Sequence, residues 1–276
     1  MSASESILFQ NSRGEGFEYY TCGSEIGYPV LYMHGAVPMP FSEKLEETVK
    51  KHDLKVIVVL RPGYGASSRL KYKNVYDYAL LLKEWIESLG LTHCDVLGLS
   101  AGAPYCYALA AAYPGLVNAV SICSGIPLAN NGDIYRMNAR AERFQFFLSR
   151  HLPAGFIGKY GVKAMEVLER KKGWQDAECG EKMDDVFQKY VRPNWYGIGR
   201  STSVQYKSWG FKAEEIEKKI FLYHSRADEM IPIKIARKSA GLLSNSELVE
   251  YESEDHSSEK LLCDAIRRIG KRVKAG

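Results

Sequence analysis

Short apolar runs alternate with amphipathic stretches along most of the chain, and this alternation predicts its elements. A run such as Lys55–Leu60, apolar at nearly every position, is typical of a strand buried on both faces. The predicted strands are Ser6–Gln10, Gly16–Cys22, Pro29–Met33, Lys55–Leu60, Cys94–Leu97, Val117–Cys123, Lys219–Tyr223 and Glu247–Tyr251. The predicted helices are Phe41–His52, Asn74–Leu89, Ala103–Tyr113, Pro232–Leu243 and Glu259–Val273. Alternating strands and helices predict the α/β class, with a mostly parallel sheet flanked by helices.

The alternation stops between residues 126 and 212. This stretch contains aromatic residues and helix-like segments but no β-branched runs. We therefore predict a core domain made of residues 1–125 and 213–276, with residues 126–212 inserted as a helical unit.

Composition excludes several classes of protein. The 276 residues are 46% hydrophobic and 25% charged, with a net charge of +4, as is ordinary for a globular protein. The sequence has no stripe of basic residues interleaved with aromatic residues, so nucleic-acid binding is not expected. The first residues lack the pattern of a signal peptide, and no apolar run has the length of a membrane span. No cysteine pair has CxxC spacing, so free thiols and a cytoplasmic location are expected. The cysteines are Cys22, Cys94, Cys106, Cys123, Cys179 and Cys263.

The segment Gly98–Gly102 has the Gly-x-Ser-x-Gly pattern of a nucleophile elbow, with Ser100 at its centre. A strand that turns sharply into a helix crowds the backbone, so the positions two before and two after the serine need glycine. A glycine-rich turn with an ordinary hydroxyl is the alternative explanation of the same five residues.

Five features in fixed order resemble the α/β-hydrolase fold family over nearly the whole chain. They are His34-Gly35, the Pro-Gly-x-Gly-x-Ser loop Pro62–Ser67, the elbow at Ser100, Asp228 and His256. The resemblance favours an esterase-like branch and implies that residues 126–212 form a helical cap. Two positions depart from the family pattern: Ser225 replaces a glycine before the acid, and Asp255 replaces the glycine before the histidine.

A catalytic triad is expected from the order of these residues. A serine hydroxyl needs a base that takes its proton as it attacks, and the order Ser…Asp…His assigns Ser100 as nucleophile and His256 as base. Asp228 follows a strand and precedes a helix, as the residue that orients the base should. The other place where relatives carry the acid is Ser124-Gly125, which has no carboxylate.

The oxyanion hole needs two N–H donors. The N–H of Ala101, directly after the nucleophile, is the first expected donor, and the resemblance implies Ala36 as the second. Trp195 and Trp209 are candidate walls of the substrate pocket, although such aromatic residues more often pack the cap on the core. No metal-ligand spacing is present, and Gly63-Tyr64-Gly65 lacks the third glycine of a dinucleotide loop, so neither metal nor cofactor is expected.

We therefore predict a serine hydrolase that acts on a small carboxylic ester or a related acyl substrate through an acyl-enzyme. Acyl transfer and cleavage of a C–C or amide bond use the same triad and stay open, as does a ligand receptor without catalytic activity. The resemblance to haloalkane dehalogenases and epoxide hydrolases is weaker, since those enzymes have Asp at the elbow. Proline iminopeptidases usually have Gly-Gly-Ser-Trp-Gly there. The expected partner is a small-molecule substrate, and a homodimer is a candidate assembly.

Overall fold

The computed structural model describes residues 6–125, 128, 131–172 and 182–275. Two of the features named above, the domain boundary at Ile126 and the thiol of Cys179, lie outside these residues. The other five cysteines are free thiols, and four of them are buried.

The described residues form one eight-stranded sheet. Its strands are β1 (Ile7–Gln10), β2 (Gly16–Gly23), β3 (Tyr28–Met33), β4 (Leu54–Val59), β5 (Cys94–Leu99), β6 (Val117–Cys123), β7 (Lys219–Ser225) and β8 (Ser246–Tyr251). Their spatial order is β1-β2-β4-β3-β5-β6-β7-β8. Strands β3 to β8 are parallel, and β1 and β2 are antiparallel at one edge. The predicted α/β class with a mostly parallel sheet is confirmed.

Helices cover both faces of the sheet. The α-helices of the described residues are α1 (Glu43–Lys51), α2 (Val75–Leu81), α3 (Lys83–Ser88), α4 (Ala103–Ala112), α5 (Gly132–Met137), α6 (Arg140–His151), α7 (Ala154–Lys172), α8 (Met183–Val186), α9 (Trp195–Gln205), α10 (Ile233–Leu242) and α11 (Glu259–Ala275). Val56 and Val58 of β4 belong to the apolar cluster that contains residues of α1 and α11, whereas Ile57 and Val59 belong to the second cluster, which contains residues of α2, α3, α4 and α10. Successive side chains of a strand point to opposite faces, so a fully apolar run packs against the helical layers on both faces of the sheet.

One predicted helix differs from the structure. The sequence predicts a single helix over Asn74–Leu89, but α2 and α3 are separated by a turn at Leu82. The N–H of Leu82 donates to the carbonyl of Ala79, three residues earlier, at 3.1 Å. This tighter turn interrupts the α-helical pattern while Leu82 and Trp85 both stay fully buried.

The segment between β6 and β7, residues 131–212 without 173–181, is called the β6–β7 segment below. Its described elements are helical: α5 to α9, with a π-helical turn at Phe187–Val191 after α8. Helices α7 and α9 approach each other closely at two glycines. A Cβ at Gly158 would lie 2.0 Å from the carbonyl oxygen of Trp195, and one at Gly199 would lie 2.1 Å from that of Ala154. The division of the chain into two domains stays a prediction.

Within the described residues, no helix combines the length and the apolar character needed to cross a membrane. The longest helix, α7, has 19 residues and carries several charged side chains. The cytoplasmic location and the homodimer considered above stay predictions.

The close crossing of α7 and α9 can be tested with alanine in place of glycine. We expect Gly158→Ala to lower the free energy of unfolding by about 1–3 kcal/mol, since the new methyl group meets the backbone of α9. Gly161→Ala in the same helix is the matched control, because nothing lies within 4 Å of its added Cβ. Its better helix propensity should stabilise the protein by up to about 1 kcal/mol. Urea denaturation measures both changes, and equal stability of the two variants would contradict the close crossing.

Candidate active site

Ser100 lies at the turn where β5 passes into α4. Its φ is +47°, in the left-handed region that is costly for a residue with a side chain. A Cβ at Gly98 would lie 2.5 Å from the Sγ of Cys106, and one at Gly102 would lie 2.0 Å from the carbonyl oxygen of Met33. A side chain would meet the Cys106 thiol at Gly98 and the backbone at Gly102, and Ser100 between them has the strained conformation expected of a nucleophile elbow.

His256 connects Ser100 to Asp228. Its Nε2 lies 2.9 Å from Ser100 Oγ, and its Nδ1 lies 2.9 Å from Asp228 Oδ2. The other carboxylate oxygen, Oδ1, accepts the backbone N–H groups of Met230 and Ile231, each at 2.9 Å. An ionised carboxylate only accepts, so Nδ1 of the neutral ring carries the proton and Nε2 is free to accept the serine proton. The three residues predicted as a triad are brought together.

The Asp228 carboxylate is kept ionised although its side chain is fully buried. Burial by itself raises the pKa of Asp228, but the hydrogen bonds from His256 and from the N–H of Ile231 outweigh it. The net pKa lies below its ordinary value. The carboxylate is therefore charged near neutral pH and suited to stabilising an imidazolium at His256.

His224 supports the loop that carries Asp228. Its Nε2 lies 2.7 Å from the carbonyl oxygen of Ile231 and 3.4 Å from Asp228 Oδ2. A carbonyl only accepts, so Nε2 carries the proton. Burial is the main cause that lowers the pKa of His224 below its ordinary value, so the ring is neutral at pH 7.

Ala36 and Ala101 carry the two N–H groups predicted as oxyanion donors. Among the described residues, the N–H groups of Ala36 and Ala101 donate no hydrogen bond. Ala101 is buried and directly follows Ser100, while Ala36 is exposed and follows His34-Gly35 at the end of β3. The two loops touch, since a Cβ at Gly102 would lie 2.9 Å from the His34 carbonyl oxygen.

The two tryptophans named above lie apart from each other. Trp195 is half-buried at the start of α9, and the guanidinium of Arg69 lies 5.4 Å from its ring centre. Trp209 is fully buried in the core, where it stacks on Tyr107 at 5.9 Å and donates from Nε1 to the carbonyl of Gln205. The structure thus places Trp209 in core packing with no accessible surface. A contact of either tryptophan with substrate stays a prediction.

Two polar residues of the site were not found from the sequence. Arg61, directly after β4, is fully buried beside the His34-Gly35 loop. A charged residue that continues a buried strand into Pro62 was the available signal. Gln205 donates from Nε2 to the carbonyl of Ala101 at 3.0 Å, and no motif in its surroundings indicated this contact. In the described part of the chain, His, Cys, Asp and Glu side chains do not gather into a cluster able to hold a metal ion.

The chain belongs to the alpha/beta hydrolase fold family. The model of that family matches residues 28–258, which contain Ser100, Asp228 and His256. The resemblance seen in the sequence is therefore confirmed.

Curated relatives match only in part. An uncharacterized hydrolase of Bacillus subtilis, YcgS, is 28% identical over 122 residues, 44% of this chain and 41% of that protein. Epoxide hydrolase 3 of mouse is 27% identical over 138 residues, 46% of this chain and 38% of that protein. The matched region spans about two fifths of the length of these relatives.

Solved structures match over the whole length. The esterase EaEST from Exiguobacterium antarcticum superposes with a TM-score of 0.66 at 16% identity, covering 98% of both chains. At this identity the match shows that the two chains share a fold, and it carries no information about the substrate.

The neutral state of buried His224 predicts a pH dependence of stability. Below about pH 6.5 the unfolded chain binds a proton at this residue, and the folded protein does not until the pH reaches its lowered pKa. Stability is therefore lost as the pH falls through this window. His224→Gln keeps an N–H donor for Ile231 but cannot be protonated, so the decline should be shallower by up to about 1.4 kcal/mol per pH unit. Urea denaturation from pH 8 to 5 measures both slopes, and identical slopes would refute the neutral ring.

Proposed function

We propose that the protein is a serine hydrolase that cleaves a small carboxylic ester, or a related acyl substrate, through an acyl-enzyme. The observation that carries the proposal is the hydrogen-bonded series Ser100–His256–Asp228, with both contacts of the histidine at 2.9 Å and the serine on a strained elbow. Membership of the hydrolase family supports it. A serine at the elbow supports an acyl-enzyme over the aspartyl chemistry of epoxide hydrolases.

The reaction follows from the roles of these groups. Ser100 Oγ attacks the acyl carbon while His256 Nε2 takes the hydroxyl proton, and Asp228 stabilises the imidazolium. The N–H groups of Ala36 and Ala101 stabilise the negative oxygen of the tetrahedral intermediate. His256 then gives its proton to the leaving alkoxide. A water molecule, deprotonated by the same nitrogen, attacks the acyl carbon. The bond to Ser100 Oγ then breaks, His256 gives its proton to that oxygen, and the acid and the free Ser100 hydroxyl are released.

We further propose that residues 126–212 act as a cap on a core of residues 1–125 and 213–276. The support is a set of contacts between α9 with its preceding turn and the loops beside the elbow. Asn194 Oδ1 accepts the N–H of Gly65 at 2.8 Å, and Gln205 donates to the Ala101 carbonyl. Gly197 packs on the Tyr64 ring, because a Cβ there would lie 2.3 Å from that ring. A helix held this close to the nucleophile restricts which acyl groups can reach it.

Ser100 can be tested as the nucleophile by covalent labelling. We expect a fluorophosphonate to label the wild type and not Ser100→Ala, and hydrolysis of nitrophenyl esters to fall at least about 10³-fold in that variant. A panel of acyl-chain lengths in the same assay measures the room left by the cap.

Ser124→Ala is the matched control for this experiment. Ser124 also has a positive φ, +46°, and its buried Oγ has no hydrogen-bond partner within the described structure. Its removal should leave labelling and turnover unchanged. Labelling of folded protein that persists without Ser100 would reject the proposed nucleophile. Turnover only with an alcohol or amine acceptor would indicate acyl transfer.

Asp228→Asn tests the orienting role of the carboxylate. The asparagine amide would donate to His256 Nδ1 and leave the proton on Nε2, where the ring can no longer accept from Ser100. We expect kcat/KM to fall by about 10⁴-fold, with little change in the circular dichroism spectrum. A loss below about tenfold would show that the carboxylate does not set the tautomer.

A further inference from the structure

Arg61 is a fully buried cation beside the proposed oxyanion hole. Its guanidinium donates to the carbonyls of His34 and Gly35 at 2.5 Å each, and from Nε to Ser201 Oγ at 3.0 Å. Among the described residues no carboxylate forms an ion pair with it. A buried charge without a counter-ion is costly, so the carbonyls that accept from it are held firmly.

The Gly35 carbonyl accepts from a second donor as well. His34 Nδ1 lies 2.8 Å from the same oxygen, while His34 Nε2 lies 3.3 Å from the backbone nitrogen of Arg61. A backbone N–H can only donate, so Nε2 is the acceptor and Nδ1 carries the proton. Burial and the charge of Arg61 hold the pKa of His34 well below its ordinary value, which keeps the ring in this neutral form.

The direction of the Gly35 carbonyl also sets the direction of the Ala36 N–H. The two groups belong to one planar trans peptide unit and point in opposite directions. Two donors on the Gly35 oxygen therefore aim the Ala36 N–H away from Arg61. The next peptide unit is held too, because the Tyr64 hydroxyl donates to the Ala36 carbonyl at 3.0 Å.

We propose that Arg61 is a positioning residue, which aligns the Ala36 N–H as an oxyanion donor. The alignment then depends on the position of α9 relative to the loop after β4. This inference rests on the proposed hydrolase function. The dependence on α9 follows from Ser201, a residue of that helix, which accepts from the same guanidinium. Removing a donor that acts only in the transition state lowers kcat and leaves KM nearly unchanged.

The test compares Arg61→Lys, Arg61→Met and wild type. Active sites are titrated with a fluorophosphonate, and kcat with a nitrophenyl ester is expressed per labelled site, so that partial unfolding does not affect the value. Lysine keeps the charge but loses the planar fork that holds two carbonyls. We expect both variants to lose about 10²–10³-fold in kcat per labelled site, with KM and the pH profile little changed.

Arg272→Met is the control for general destabilisation. Arg272 forms an ion pair with the buried Asp95 near the start of β5, at the strand end opposite Ser100. Its loss should reduce the fraction of labelled protein and leave kcat per labelled site unchanged. Tyr64→Phe and Ser201→Ala are milder variants, each expected to lower kcat per site by about two- to tenfold.

Wild-type kcat per site in Arg61→Lys, with a large loss in Arg61→Met, would overturn positioning in favour of a simple charge effect. If neither Arg61 variant folds, unchanged kcat per site in both Tyr64→Phe and Ser201→Ala would overturn the inference. In either case Ser100-dependent turnover of the wild type would still stand. Absence of that turnover would overturn the proposed function together with the inference.

Discussion

The contact between the elbow and the end of β3 is the constraint on which the rest of the site depends. Gly102 lies so close to the Met33 carbonyl that no side chain fits, and a Cβ at Gly98 would lie 2.5 Å from the Sγ of Cys106 in α4. Because the turn between β5 and α4 is this tight, Ser100 adopts a left-handed conformation. The same packing brings the loop after β3 against the residues that follow the serine. Ser100 and the N–H groups of Ala36 and Ala101, the proposed nucleophile and oxyanion donors, thus lie beside one close backbone approach.

Neighbouring groups that can only donate or only accept a hydrogen bond determine which ring nitrogen of each histidine carries the proton. Backbone N–H groups only donate and carbonyls only accept, so the ring nitrogens of His34 and His224 have defined tautomers. The Asp228 carboxylate does the same for His256. Burial keeps the two supporting rings neutral, since a charged imidazole loses its hydration there. The site is therefore preorganised by groups that do not react themselves.

The β6–β7 segment is joined to this arrangement by polar contacts as well as by apolar packing. Asn194, Ser201 and Gln205 contact the loops after β4 and β5, and a small apolar cluster around Tyr64 lies between them. Contacts of this kind are directional, so a displacement of α9 would leave buried donors without acceptors. The position of α9 and the geometry of the loops are therefore linked.

Much of the fold and three of the site residues followed from the sequence because their signals are local or ordered along the chain. Apolar runs and helical spacing predicted the strands and, outside the β6–β7 segment, most of the helices, and the order of Ser100, Asp228 and His256 predicted which side chains meet. The turn at Leu82, the burial of Trp209 and the bonds of Arg61 were decided only by the tertiary structure. The last two depend on residues far apart in the chain: Arg61 contacts Ser201, and Trp209 stacks on Tyr107. Local propensity carries no information on such partners, which are brought together only when the sheet and its helices pack.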